Sequence, residues 1–200
     1  MPAERRRTQL LDAALTVIVE TGYGGVSIEA IARLAGVTRP VVYDHFPNLG
    51  KLLQALLERE ERESLQQLER LVPDDVAGRE PVEVLATAVK NFLQAVESRP
   101  ATWRIILLPL EGTPAIVREH VERHRRPILA QIEEMVAASV AAGQLPAELD
   151  VELAARAIRD LGEEAGRMVL TDPERYSPER YERFVRTVMA LLWPRSGAAS

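Results

Sequence analysis

Residues 27–46 read SIEAIARLAGVTRPVVYDHF. Ile28, Ile31, Ala32 and Ala35 recur at the three- and four-residue steps of one helix face. Ser27, just before them, carries a side-chain oxygen suited to capping a helix start, and Gly36 stops that helix. Thr38 offers a second cap, and Pro40 falls in the first turn of the next helix, where its missing N–H is not needed. The spacing predicts a short helix that ends near Phe46. Two short helices joined by a glycine-containing turn make a helix-turn-helix, whose second helix can enter the DNA major groove. Ile28, Ile31, Ala32, Val37, Val42 and Phe46 are its inner residues. The outer face then presents Arg39, Val41, Tyr43, Asp44 and His45 with their polar groups free. At about 1.5 Å per residue this second helix is roughly 12 Å long, close to a groove width of about 12 Å.

The pattern extends in both directions. Leu10, Leu11, Ala14, Leu15, Ile18 and Val19 predict a helix from about Thr8 to Glu20, closed by the glycines after Thr21. Downstream, Pro47-Asn48-Leu49-Gly50 breaks the chain before a longer helix that carries Leu52, Leu53, Leu56 and Leu57 and ends before Pro73. Further helices are expected near 81–98, 101–111, 114–142, 150–170 and 178–192. Pro127 is expected to kink or divide the long one. No segment alternates like a strand, so the expectation is an all-α fold of about nine helices.

Composition narrows the functional classes. The 200 residues are 46% apolar and 12% Gly plus Pro, values ordinary for a folded chain. With no cysteine there is no disulfide framework, thiolate metal site or cysteine nucleophile. No apolar run, Ile105–Leu110 among them, exceeds seven residues, against roughly 20 for a bilayer span. No signal-peptide cleavage pattern follows Arg5–Arg7, so a cytoplasmic protein without membrane attachment is expected. Net charge is −5, yet residues 1–51 carry +1 and the remainder −6. The N-terminal quarter is therefore the better partner for a polyanion. No phosphate loop, serine elbow or paired-carboxylate arrangement is present, so no catalytic residue, no enzymatic activity and no cofactor are expected.

The stretch AIARLAGVTRPVVYDHFPNLGKLLQALLE, residues 30–58, resembles the N-terminal domain of the TetR family of transcriptional regulators. The resemblance is close from about Thr8 to Glu60. It implies a helix-turn-helix DNA-binding domain over residues 1–50 (motif 27–46) and a helical effector-binding and dimerisation domain over 51–200. It places Ser27 and Thr38 at helix N-termini that face phosphates. Arg39, Pro40 and Val41 occupy positions that reach base edges, Arg39 toward guanine O6 and N7, Pro40 or Val41 toward a thymine methyl. Tyr43 and His45 match backbone-touching positions, with packing roles as the alternative. Leu49 stands where the family usually has Lys, which leaves Lys51 as the nearest cation. Asp44 either repels phosphates or accepts from cytosine N4. Arg5–Arg7 form a solvated tail or a minor-groove arm.

The resemblance further implies a homodimer through the last two helices, where Gly162 and Gly166 would allow close approach of a partner helix. It also implies a ligand-responsive regulator, in the first instance a repressor of a double-stranded operator released by a small effector. Phe92, Trp103, His120, His124, Met135, Arg159, Glu163 and Met168 are the effector-site candidates. With nine aromatics in the chain, a largely aliphatic site for a hydrophobic or amphipathic molecule is expected. The alternative is a metal-binding sensor or enzyme. His120 and His124 at i and i+4 have the spacing of two zinc ligands, although Val121 stands where a zinc-hydrolase motif needs Glu.

Overall fold

The computed structural model describes residues 2–68, 80–108 and 113–192; of these, the side chains of Leu68, Ile116, His124 and Leu192 lie outside the description. Helices account for the regular structure among the described residues. They are α1 (Ala3–Thr21), α2 (Ile28–Leu34), α3 (Arg39–His45), α4 (Leu49–Leu68), α5 (Pro81–Ser98), α6 (Pro100–Leu107), α7 (Ala115–Ala141), α8 (Val151–Thr171) and α9 (Pro178–Leu192), with one 3-10 turn at Tyr23–Gly25. The chain divides into two compact units, Met1–Leu65 with Ala101–Arg125, and Gln66–Pro100 with Arg126–Ser200.

The first unit is organised by the apolar stripe of α1. Leu10, Leu11, Ala14, Val17 and Ile18 pack with Ile28, Ile31 and Ala32 of α2, Val42 of α3, and Leu52, Leu53, Leu56 and Leu57 of α4. Val37 lies partly buried against the same cluster. Gly36 ends α2 with φ +65°, a left-handed conformation in which a Cβ is strained, and this lets the Val37 N–H reach the Ala32 carbonyl at 2.9 Å. The Gln9 amide donates to the Ala35 carbonyl at 2.8 Å, a further tie between α1 and the end of α2.

Four features differ from expectation. Helix α1 starts at Ala3, five residues before Thr8. Its first turns are exposed apart from a half-buried Arg6, so they carry no apolar period to reveal them. Helix α4 starts at Leu49 because the Asn48 side chain accepts from the Lys51 N–H at 2.9 Å, an N-cap inside what reads as a break. Pro127 does not divide α7, which runs through it from Ala115 to Ala141; the proline removes one ladder hydrogen bond and crowds the carbonyl four residues back, at about 3 kcal/mol, and the 27-residue helix carries that cost. The 101–111 helix ends at Leu107, and residues 109–112 lie outside the described residues.

In the second unit, α8 and α9 both pack against α5. Leu93 and Val96 of α5 are fully buried, as is Ala155 of α8. Lys90 pairs with Glu182 at 2.8 Å, and Arg186 of α9 pairs with Glu83 of α5, so charges from the first turn and the middle of α5 hold α9. The Tyr181 hydroxyl donates to the Met168 sulfur at 2.9 Å.

Candidate nucleic-acid interface

Helix α3 is anchored on one side and bare on the other. Val42 and Phe46 are fully buried in the core of the first unit. Arg39, Pro40, Tyr43 and Asp44 are exposed, while Val41 and His45 are half-buried. Burial of the inner pair fixes which residues the helix turns outward.

The two helix starts of the motif differ. The Ser27 hydroxyl accepts from the Ala30 N–H at 3.1 Å and caps α2. Thr38 holds the N-cap position of α3 with extended backbone, but its side chain makes no capping bond; its carbonyl accepts from Val41 at 3.1 Å. The Thr38 hydroxyl is exposed.

The outer face is not composed of free groups. Arg39 Nη1 lies 2.8 Å from Glu29 Oε1, the carboxylate coming from the first turn of α2. Hydrogen bonding toward the Tyr43 hydroxyl, then the Glu29 charge, holds the guanidinium more firmly protonated than usual. The Glu29 contact is not evident from spacing alone, because Glu29 belongs to the other helix.

At the far end of α3 an open groove is lined by Arg7, His45, Phe46, Lys51, Gln54 and Glu58. Arg7 stacks over the Phe46 ring at 4.4 Å and donates to the His45 carbonyl at 3.4 Å. Arg5–Arg7 lie in the first two turns of α1, and Arg7 supports the last turn of α3. The sequence signal that bears on this is a cation three residues before Leu10, where the α1 stripe begins. Lys51 is exposed and its Nζ donates to Gln54 at 3.1 Å. Leu49 packs against the apolar core, so the cation at this end of α4 is Lys51.

Tyr23 in the core of the first unit is 6% exposed, and its hydroxyl has no partner among the described residues. Burial pushes that hydroxyl up to about 12. Deeper in the first unit, Glu60 is 1% exposed. Arg59 meets its Oε1 at 2.7 Å, and Thr102 donates to its Oε2 at 2.5 Å. Arg59 also reaches Asp12 of α1 at 2.6 Å. Burial works against the charge on Arg59, and the two carboxylates more than offset it.

The effector-site candidates fall in both units. Trp103 (2% exposed) and His120 belong to the first, and His120 Nε2 lies 2.6 Å from Glu61. Phe92, Met135, Arg159, Glu163 and Met168 belong to the second, each half-buried. Arg159 pairs with Asp160 at 2.7 Å, Glu163 with Arg167 at 3.6 Å, and Met168 accepts from Tyr181. The side chain of His124 lies outside the described ones. Among the described residues no three acidic or histidine side chains gather as metal ligands. No helix among them is long and apolar enough to cross a membrane.

Comparison with known proteins agrees with this arrangement. A family model described as bacterial regulatory proteins, tetR family, matches residues 10–56. A second, for a Tetracyclin repressor-like C-terminal domain, matches residues 78–167. The chain is 30% identical over 150 residues to the HTH-type transcriptional regulator SrpR of Pseudomonas putida, covering 75% of this chain and 68% of that one. Among solved structures, the fatty acid degradation regulator FadR of Bacillus halodurans superposes with a TM-score of 0.75 at 20% identity, over 94% of this chain and 96% of that one. FadR of Bacillus subtilis, solved with stearoyl-CoA, superposes with a TM-score of 0.72 at 22% identity, over 91% and 96% of the two chains. With the sequence matched on both sides of residue 68 and a buried three-helix base presenting α3, this chain belongs to the TetR family of transcriptional regulators.

Proposed function

We propose that the protein binds a pseudopalindromic operator as a homodimer and represses transcription until an amphipathic acyl thioester releases it. The observation that carries the DNA half is α3 itself, with Val42 and Phe46 buried and Arg39, Pro40 and Tyr43 turned to solvent. In this reading Arg39 meets a guanine edge, Pro40 or Val41 a thymine methyl, and Ser27, Thr38, Tyr43, His45 and Lys51 contact the backbone. Such contacts are few in a single copy, and two-fold pairing doubles them.

Helices α8 and α9 supply apolar surface for that pairing. Leu153 and Leu161 are 63% and 72% exposed, Phe184 and Leu191 60% and 76%. A Cβ built on Gly162, beside Leu161, meets nothing within 4 Å, so a partner helix has room there. The protein acts in the cytoplasm, where its operator is, and works by binding, without catalysis, cofactor or metal.

The effector class is inferred from the bound molecule in the Bacillus subtilis relative together with a chain rich in aliphatic and poor in aromatic residues. Ligand and operator affinities are then linked reciprocally. Stearoyl-CoA titrated into the protein–operator complex should release the DNA and raise the melting temperature of the free protein, while coenzyme A alone does neither. Unchanged DNA binding and melting with acyl thioesters of every chain length would move the effector to another chemical class.

A further inference from the structure

Glu29 opens α2 and Arg39 opens α3, on either side of the turn that joins them. Their side chains meet at 2.8 Å although each is 57% exposed. An ion pair this exposed adds almost nothing to stability, so its consequence lies in where it puts the guanidinium. Tyr43, one helical turn beyond Arg39 and 45% exposed, neighbours it on the same helix face. Arg39 is thus tied across the turn to the start of α2.

We propose that Glu29 is a specificity-determining residue, which orients the Arg39 guanidinium toward one guanine edge. The proposal rests on the reading of α3 as the base-reading helix. Guanidinium has five N–H donors in a fixed plane, and Glu29 engages the group at Nη1, leaving donors on the rest of the plane. Guanine presents two adjacent acceptors, O6 and N7, to match a donor pair. An arginine ordered beforehand surrenders less rotamer freedom on binding than one free in solvent. The carboxylate has a second effect. It repels phosphates and weakens sequence-independent attachment through the same arginine, which widens the gap between specific and non-specific binding.

The test uses the full chain, an operator selected from random duplexes, its single-base-pair variants and a random-sequence duplex. Glu29→Gln should reduce preference at one base pair about three- to fivefold, the range of an exposed ion pair, and tighten binding to random duplex, with an unchanged melting temperature. Glu29→Asp keeps the charge on a shorter arm; it should lose the same preference while random-duplex affinity stays at the wild-type level. Arg39→Ala identifies the base pair concerned. Wild-type preference in both Glu29 variants, with Arg39→Ala still losing it, overturns the role of Glu29 alone. A uniform gain of Glu29→Gln on every duplex also overturns it, since bulk charge would then suffice. Uniform loss across all duplexes in Arg39→Ala overturns the base-reading assignment beneath it.

Discussion

Phe46→Ala should destabilise the first unit by about 3–5 kcal/mol, the cost of emptying a buried aromatic site, and should abolish operator binding at temperatures where the wild type binds. Phe46 is 1% exposed and closes the C-terminal end of α3. Its ring also carries the Arg7 guanidinium at 4.4 Å, which in turn donates to the His45 carbonyl. Truncation therefore opens a cavity beneath α3 and removes the surface on which Arg7 rests. Against a total stability of roughly 5–15 kcal/mol, that loss is large enough to melt the reader first. Urea unfolding followed by circular dichroism measures it. A wild-type midpoint would show that Phe46 does not hold α3 in place.

The second large effect is expected at Arg59. Glu60 is 1% exposed and depends on Arg59 for its counter-charge, with Thr102 supplying one more hydrogen bond. Arg59→Met leaves a buried carboxylate without its cation and should cost about 3 kcal/mol. The double variant Arg59→Met/Glu60→Met removes both charges, and at least half of the loss should return. Denaturant midpoints of the two variants decide this. A double variant no better than the single would mean that Arg59 matters for its packing and its link to Asp12 rather than for neutralising Glu60.

The N-terminal helices are legible because their information is local. Apolar residues at helical steps, Ser27 at a cap and Gly36 at a left-handed terminus each act within a few residues, and α2 and α3 appear where those signals put them. The first turns of α1 escape such reading, since an exposed turn has no apolar period. Asn48 escapes it because a capping side chain between Pro47 and Gly50 looks like a plain turn. Which side of α3 faces out follows from Val42 and Phe46. What Arg39 and Arg7 touch does not, because Glu29 and Phe46 reach them only through packing of separate helices. The effector candidates show the same limit more strongly. The resemblance makes Trp103, His120, Phe92 and Met135 candidates, but it carries no information about which unit each joins.

The central claim is that paired copies of α3 read a symmetric operator. Selection of bound fragments from a random double-stranded pool at two salt concentrations tests it most directly. The account predicts an enriched pseudopalindrome with half-sites about one helical turn or more apart and binding that weakens with salt. It also predicts that Arg39→Ala lowers affinity by about 1–3 kcal/mol and relaxes preference at one base pair in each half-site. Failure of the folded protein to enrich any sequence, with or without acyl thioester present, would contradict it.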